Sequence, residues 1–464
     1  MSRRFASLLL GLSLAACASG ASAQRVALVT QHGVAGDRAE WLHGAPMHTR
    51  VVVGADGETY VGLWVDTPRT PGVQRAPLDV ALVVDTSGSM SGDKIENARV
   101  AAASFIDGLT DGDIVSLYAF SDGVRELAPP TVVTAHSRAM MLQQVRGLYA
   151  AGGTNIFAGL TAAEGALAGA PSSHPVRRVV LISDGRATVG PSSAAELSDL
   201  AARVTENGSQ VSAIGVGLDY DEGTLGAIAA RTAGRLYHLE QPQQMAVILH
   251  DELELLGHTV ATNAVLEFAP APGVVLEPVG VAHARRDGVA YAVPLGSLYG
   301  AQHREVLFRV RAPFRVEGAQ VLGNARLRYE DPASRGARRS SNELPIRVEA
   351  VRGAGAGGVD ERVAAMVTRW DVAQSQLRAA RLMNEGDVGR ADAALAEAQE
   401  QLRRAQATVR DESAQRALQA QAAVVSRNRA STRTLLHAPA AAAPAARRGA
   451  ALQMNADSMH DMGY

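Results

Sequence analysis

The sequence predicts an α/β protein: a doubly wound, mostly parallel sheet inserted in a β-sandwich and followed by a C-terminal helical module. Three observations carry that expectation. Between residues 76 and 257, short and nearly unbroken apolar strands alternate with helical patterns, as strands buried on both faces do. Strand-rich blocks flank this stretch, at 25–75 and 258–350. Beyond a glycine-rich linker, residues 359–430 are rich in Ala, Gln, Arg, Glu and Leu, a helix-forming composition. The length of 464 residues suits about three domains.

The elements follow in order. Met1, Ser2, Arg3, Arg4 and Phe5 precede an apolar run that ends at Ala16. A basic head before so short an apolar run is the pattern of a signal peptide and falls short of a membrane span of ~20 residues. Two processing readings stand side by side. Ala21-Ser22-Ala23 before Gln24 offers a cleavage site that removes 1–23. Leu14-Ala15-Ala16-Cys17 resembles the lipobox of bacterial lipoproteins, in which 1–16 would be lost and Cys17 lipidated. Both predict export, to the periplasm or outer membrane as a lipoprotein, or else into the medium.

In the first block, Met47–Val53 and Glu58–Val65 are strand-like around a Gly54–Gly57 turn. In the central stretch, strands are expected at 80–84, 114–120, 179–182 and 211–214. Helices are expected near 93–107, 138–148, 156–167, 194–206, 221–232 and 243–256. The block 258–350 returns to strands, with Asp287-Gly288 as a hairpin turn. Neither flanking block has strands enough to hide two sheet faces alone, so the two are expected to form one sandwich. After the 351–358 linker, Gly386-Asp387 ends one helix and caps the next, and Asp411 opens another start. Two or three helices are expected there, with a disordered tail over 434–464.

Composition excludes several functions. Lys and Arg number 45 against 47 Asp and Glu, a net charge of -2, so a basic nucleic-acid surface is not the design. Aromatics at 4% are too few for base-stacking platforms. The lone cysteine allows no intrachain disulfide and no thiolate zinc site. The histidines lack the HExxH spacing, and neither GxSxG nor GxxxxGK[ST] occurs.

One constellation carries chemistry. The strand at 80–84 runs into Asp85-Thr86-Ser87-Gly88-Ser89. A Gly152-Gly153-Thr154 loop leads into a helix, and a buried strand ends in Ser183-Asp184-Gly185. Ligands of open parallel sheets bind at such carboxyl edges. Asp85, Ser87, Ser89, Thr154 and Asp184 therefore meet at one rim. All are oxygen donors, which suits a hard cation such as Mg²⁺ or Mn²⁺ rather than zinc. The hydroxyls can bind directly; the carboxylates can bind directly or hold coordinating waters. Each residue alone reads as an ordinary turn or cap, and it is their conjunction that points to a metal. Arg125, Arg186 and Asp122 sit beside these loops as surface charges. Asp219-Tyr220-Asp221-Glu222 departs from a calcium-loop pattern and reads as a helix cap. Trp370 reads as an anchor of the helical core.

These positions resemble the metal-ion-dependent adhesion site of von Willebrand factor type A domains, over about residues 77–256. All five site residues match in order and on the expected elements. The resemblance implies a doubly wound fold that binds a protein ligand through Mg²⁺. It implies direct ligation by Ser87, Ser89 and Thr154, with water-mediated contacts from Asp85 and Asp184. The metal would then bridge to a Glu or Asp of a protein partner, with no nucleic acid and no catalysis. The flanking blocks resemble an exported bacterial subgroup. Two rival functions remain open on the residues: a metal-independent scaffold using the sandwich and helices, and a metal-assisted hydrolase. The second would need a general base that the sequence does not place near these loops.

Overall fold

Along β3 (Asp56–Asp66), Val61, Leu63 and Val65 turn to one face and are buried, the two-residue period of a half-buried strand. It follows β1 (Leu42–Pro46) and β2 (Arg50–Val52). The computed structural model describes residues 41–461, apart from 55, 70–74, 281–283, 335, 354–356 and 438–442. The expected leader, its cleavage sites and Cys17 lie outside the described residues.

The central sheet is built from β4 (Leu78–Asp85), β5 (Ile114–Phe120), β6 (Val124–Val132), β7 (Val176–Ser183), β8 (Ser209–Val216) and β9 (Leu236–Leu239). Its order is β6-β5-β4-β7-β8-β9, parallel except where β6 runs against β5. The helices are α1 (Asp93–Gly108), α2 (Ala135–Arg146), α3 (Ile156–Ala168), α4 (Ala194–Glu206), α5 (Glu222–Arg231) and α6 (Met245–Gly257). Val80, Leu82 and Val84 of β4 pack with α1, α2 and α6 on one face. Ala81 and Val83 pack with α3, α4 and α5 on the other. Side-chain caps hold the starts of α2, α3, α4 and α5 through Thr134, Asn155, Ser193 and Asp221, each worth ~1 kcal/mol. Two strands of this sheet, β6 and β9, were not expected from the sequence. β6 is an exposed edge strand with Pro129 and Pro130, and β9 has only four residues.

The sandwich is completed by β10 (Thr259–Pro270), β11 (Val275–Val279), β12 (Arg285–Asp287), β13 (Ala290–Tyr299), β14 (His303–Pro313), β15 (Gly318–Asp331), β16 (Ala337–Ser340) and β17 (Leu344–Val351). One sheet has the order β1-β3-β14-β11, the other β12-β13-β10-β15-β17-β2, with β16 beside β15. The first block thus gives strands to both sheets. Their inner faces share one core, in which Phe268 and Phe308 meet edge to face at 5.2 Å. A buried polar cluster ties the sandwich to the central sheet. The Arg178 guanidinium of β7 lies 2.5 Å from the Tyr299 hydroxyl of β13 and 3.4 Å from Glu252 of α6. Glu252 also accepts from Tyr237 at 2.6 Å.

The helical module has four helices, α7 (Glu361–Glu385), α8 (Val388–Thr408), α9 (Glu412–Leu435) and α10 (Ala443–Asp461). Gly386, at φ +86°, ends α7, and the Asp387 side chain caps α8. The fourth helix corrects the expected disordered tail. Its alanines favour helix and Pro444 lies in the first turn, where it breaks no internal hydrogen bond. Leu452 sinks into the α3–α5 core, while Ala451 and Met454 join the core of the module. Arg448 donates to Glu222 at 2.7 Å and to the Leu218 and Tyr220 carbonyls. Leu452→Ala is expected to cost about 2–5 kcal/mol in denaturant unfolding, the range for a buried leucine. An unchanged stability would contradict the docking of α10.

Trp64 turns to the outer face of β3 and packs with Val363 and Met366 of α7. Beside it runs a charge chain. Arg369 of α7 donates to Glu305 at 2.7 Å. The two ring nitrogens of His303 lie 2.9 Å from Glu305 and 2.6 Å from Asp66. To donate to both carboxylates the ring must carry both protons. The Glu305 hydrogen bond accordingly raises the His303 pKa, against burial. A folded pKa above the unfolded value of about 6.5 gives stability that is complete below that value and fades as pH rises through the folded pKa. The stability difference between wild type and His303→Gln should be larger at about pH 5 than at about pH 9. A pH-independent difference would refute this linkage.

Candidate functional site

Asp85 ends β4 and is fully buried. Its Oδ1 accepts the Ser87 N–H at 2.8 Å, an Asx-type turn that swings the chain out of the sheet. Its Oδ2 accepts from the Ser183 hydroxyl at the end of β7, at 2.6 Å. The carboxylate thus joins two adjacent strand ends. Burial pushes its pKa up to about 6, opposed by the Ser183 and Ser87 bonds and reinforced by the Asp184 charge.

A row of oxygens leads outward from there. The hydroxyls of buried Ser87 and exposed Ser89 are 3.0 Å apart. Ser89 donates to Asp184 Oδ1 at 2.7 Å, and Asp184 is also fully buried. Thr154 comes from a third loop. Gly88 N–H bonds the Gly152 carbonyl at 2.9 Å, and Ala151 N–H bonds that of Thr86 at 2.8 Å, so the loop lies against the Ser87 turn. Gly152 sits at φ +81°, where a Cβ would stand 2.5 Å from Asp122. The Thr154 N–H donates to Thr188 Oγ1 at 2.9 Å. A Cβ on Gly185 would stand 3.5 Å from Thr154 Oγ1 and 3.6 Å from Ser89 Oγ. The Thr154 and Ser89 hydroxyls therefore converge over Gly185, and all five expected residues share one rim.

Asp122, expected only as a surface charge beside these loops, has a structural task, and one further contributor was not foreseen. Asp122 fastens the glycine loop through Gly153 N–H at 2.8 Å. More consequential is Lys94, whose Nζ lies 2.5 Å from Asp184 Oδ2. Its signal was present in the sequence: a lysine in the first turn of a helix opposes the helix dipole and needs a local reason. Arg186 remains exposed, and Arg125 lies 5.1 Å from the Tyr149 ring. Asp221 caps α5 through Thr224. Trp370 lies on α7 and packs against the outer face of the sandwich beside Trp64 and Leu307, not in the core of the helical module, which corrects the expected helical anchor.

Two carboxylates and three hydroxyls on three loops suit a hard cation with several waters. No group of three or more His, Cys, Asp or Glu with metal-holding geometry occurs among the described residues, so a metal here would rest on hydroxyls and water. The Ser87 and Ser89 hydroxyls bond to each other and Ser89 to Asp184; neither bond is to an imidazole that would activate a nucleophile.

Residues 79–251 match the von Willebrand factor type A domain family. This stretch is a von Willebrand factor type A domain. An uncharacterized protein of Synechocystis sp. is 28% identical over 60% of this chain and 67% of its own. The E3 ubiquitin-protein ligase WAV3 of Arabidopsis thaliana is 25% identical over 56% of this chain, but only 34% of its own length is spanned. A solved von Willebrand factor type A structure from Catenulispora acidiphila has a TM-score of 0.73 at 19% identity, covering 90% of this chain and 96% of its own. That likeness extends the shared fold beyond the type A domain to the sandwich and helices.

Lys94 supplies the nearest positive charge to Asp184. Lys94→Met should lower stability in chelator by about 2 kcal/mol, since it strands a buried carboxylate. Equal unfolding midpoints would contradict the pairing.

Proposed function

We propose that the chain is a non-enzymatic protein-binding protein of the bacterial cell envelope, acting as an adhesion or scaffold module through Mg²⁺ or Mn²⁺. The observation that carries this reading is the convergence of Ser87, Ser89 and Thr154 hydroxyls beside two buried carboxylates. A bound cation there supplies an electrophilic position for a Glu or Asp of the partner. Ser87, Ser89 and Thr154 would hold it through neutral oxygens. Asp85 and Asp184 would balance charge and orient water, Asp85 being held for that task by Ser183. Lys94 would yield its place at Asp184. The basic and apolar start of the chain, with Cys17 as the lipidation residue, supports the envelope location.

The Lys94–Asp184 pair also favours a second reading, a metal-independent scaffold in which the ammonium permanently balances the site. Titration calorimetry with Mg²⁺ and Mn²⁺, alone and with acetate as a stand-in carboxylate, separates the two. Saturable binding by the wild type, lost in Asp184→Ala, is expected. Folded wild type that stays silent even with acetate would favour the scaffold.

A further inference from the structure

The type A domain has a second concave feature, at the opposite edge of its sheet. Asp79 is the second residue of β4, six before Asp85. Its side chain is 1% exposed, and Oδ1 has no hydrogen-bond partner. It lines a cleft of about 520 Å³ between the sheet and α3, with Tyr118 and Glu126 further along and Ala162, Gly165 and Gly169 on the other wall.

The nearby cations are engaged elsewhere. Arg177 donates to the carbonyls of His174, Asn207 and Ala170. The His174 ring nitrogens lie 2.8 Å from the Gly112 carbonyl and 3.0 Å from Ser173. Burial raises the Asp79 pKa to about 6, outweighing the pull of His174 and Arg177. At neutral pH the group is therefore mostly a buried carboxylate whose Oδ1 has no hydrogen-bond partner, a costly arrangement.

Gly165 adds an independent observation. An interior helical glycine costs up to ~1 kcal/mol relative to alanine. Gly159, in the same helix, has a packing reason, since a Cβ there would stand 3.0 Å from Phe120. A Cβ on Gly165 would meet nothing within 4 Å. Gly165 is exposed and lines the cleft, so the helix gives up stability at a position that leaves the cleft wall bare.

We propose that this cleft binds a primary ammonium group on an unbranched aliphatic stem, with Asp79 accepting the ammonium and the small residues of α3 admitting the stem. Tyr118 donates to Glu126 at 3.5 Å, which leaves Glu126 free to accept a second donor at the mouth. Tyr118 stands four steps along β5 from Ile114, which lies opposite Asp79, or ~13 Å at strand rise. A polyamine such as spermidine brings a second ammonium for Glu126; a lysine side chain of a protein brings one, for Asp79 alone.

The test is calorimetry of the full chain with spermidine and with Nα-acetyl-lysine amide, on wild type, Asp79→Asn and Gly165→Leu. Saturable binding to the wild type is expected, weakened at least tenfold by either variant. Both variants should melt no lower than the wild type without ligand. Tighter binding of spermidine assigns the site to free polyamines, and tighter binding of the lysine amide to a protein's lysine. Absence of saturable binding of either amine by folded wild type overturns the proposal. So does undiminished binding by Gly165→Leu, a result that stands even if Asp79→Asn fails to fold.

Discussion

Two carboxylates, Asp85 and Asp184, are buried at adjacent strand ends of one sheet, and much of the type A domain answers the electrostatic problem they pose. Burial pushes the Asp85 pKa up. Ser183 and the Ser87 N–H stabilise one of them, and Ser89 and Lys94 the other. Only one of those four groups carries a positive charge. Two negative charges against one ammonium leave the rim cation-seeking, and its hydroxyls supply the oxygens that a hard cation accepts.

The surrounding architecture keeps this edge in register. The Gly152-Gly153 loop is fastened to the Ser87 turn by backbone bonds and to Asp122 by a carboxylate, so Thr154 arrives from a third direction without relying on its own helix. At the other side of the sheet, Arg178, Glu252 and Tyr299 join β7, α6 and the sandwich in a buried polar cluster. Moving α6 would part Glu252 from the buried Arg178 charge, so the cluster favours a fixed seat for α6 against the sheet. Helix α10 adds a clamp on the loop after β8 through Arg448. The helical module is therefore physically joined to the type A domain, close to the carboxyl edge that carries the candidate site.

The sequence was most legible where burial and period agree. The strands around Val80, Val179 and Val211 are apolar on both faces, which is what a doubly wound sheet requires. The meeting of the five residues was legible because each follows a strand or glycine loop, and strand ends of such sheets converge. What escaped has specific causes. β6 carries two prolines and polar residues on an open edge, and β9 is too short for a pattern. Helix α10 hides in an Ala/Pro-rich stretch, because its burial comes from a few residues such as Leu452 and not from a sustained apolar stripe. Lys94 carries as its sequence signal only an unfavourable place in the first turn of a helix; the fold is what sets its ammonium against Asp184.

The central claim is that the ammonium of Lys94 and a divalent cation are alternative counter-charges for one rim. A crystal structure with Mn²⁺, using anomalous scattering to place the metal, tests it most directly. The account predicts one peak within bonding reach of the Ser87, Ser89 and Thr154 hydroxyls, with Lys94 Nζ moved away from Asp184. An intact Lys94–Asp184 pair with no peak at the rim, in crystals saturated with Mn²⁺, would contradict it.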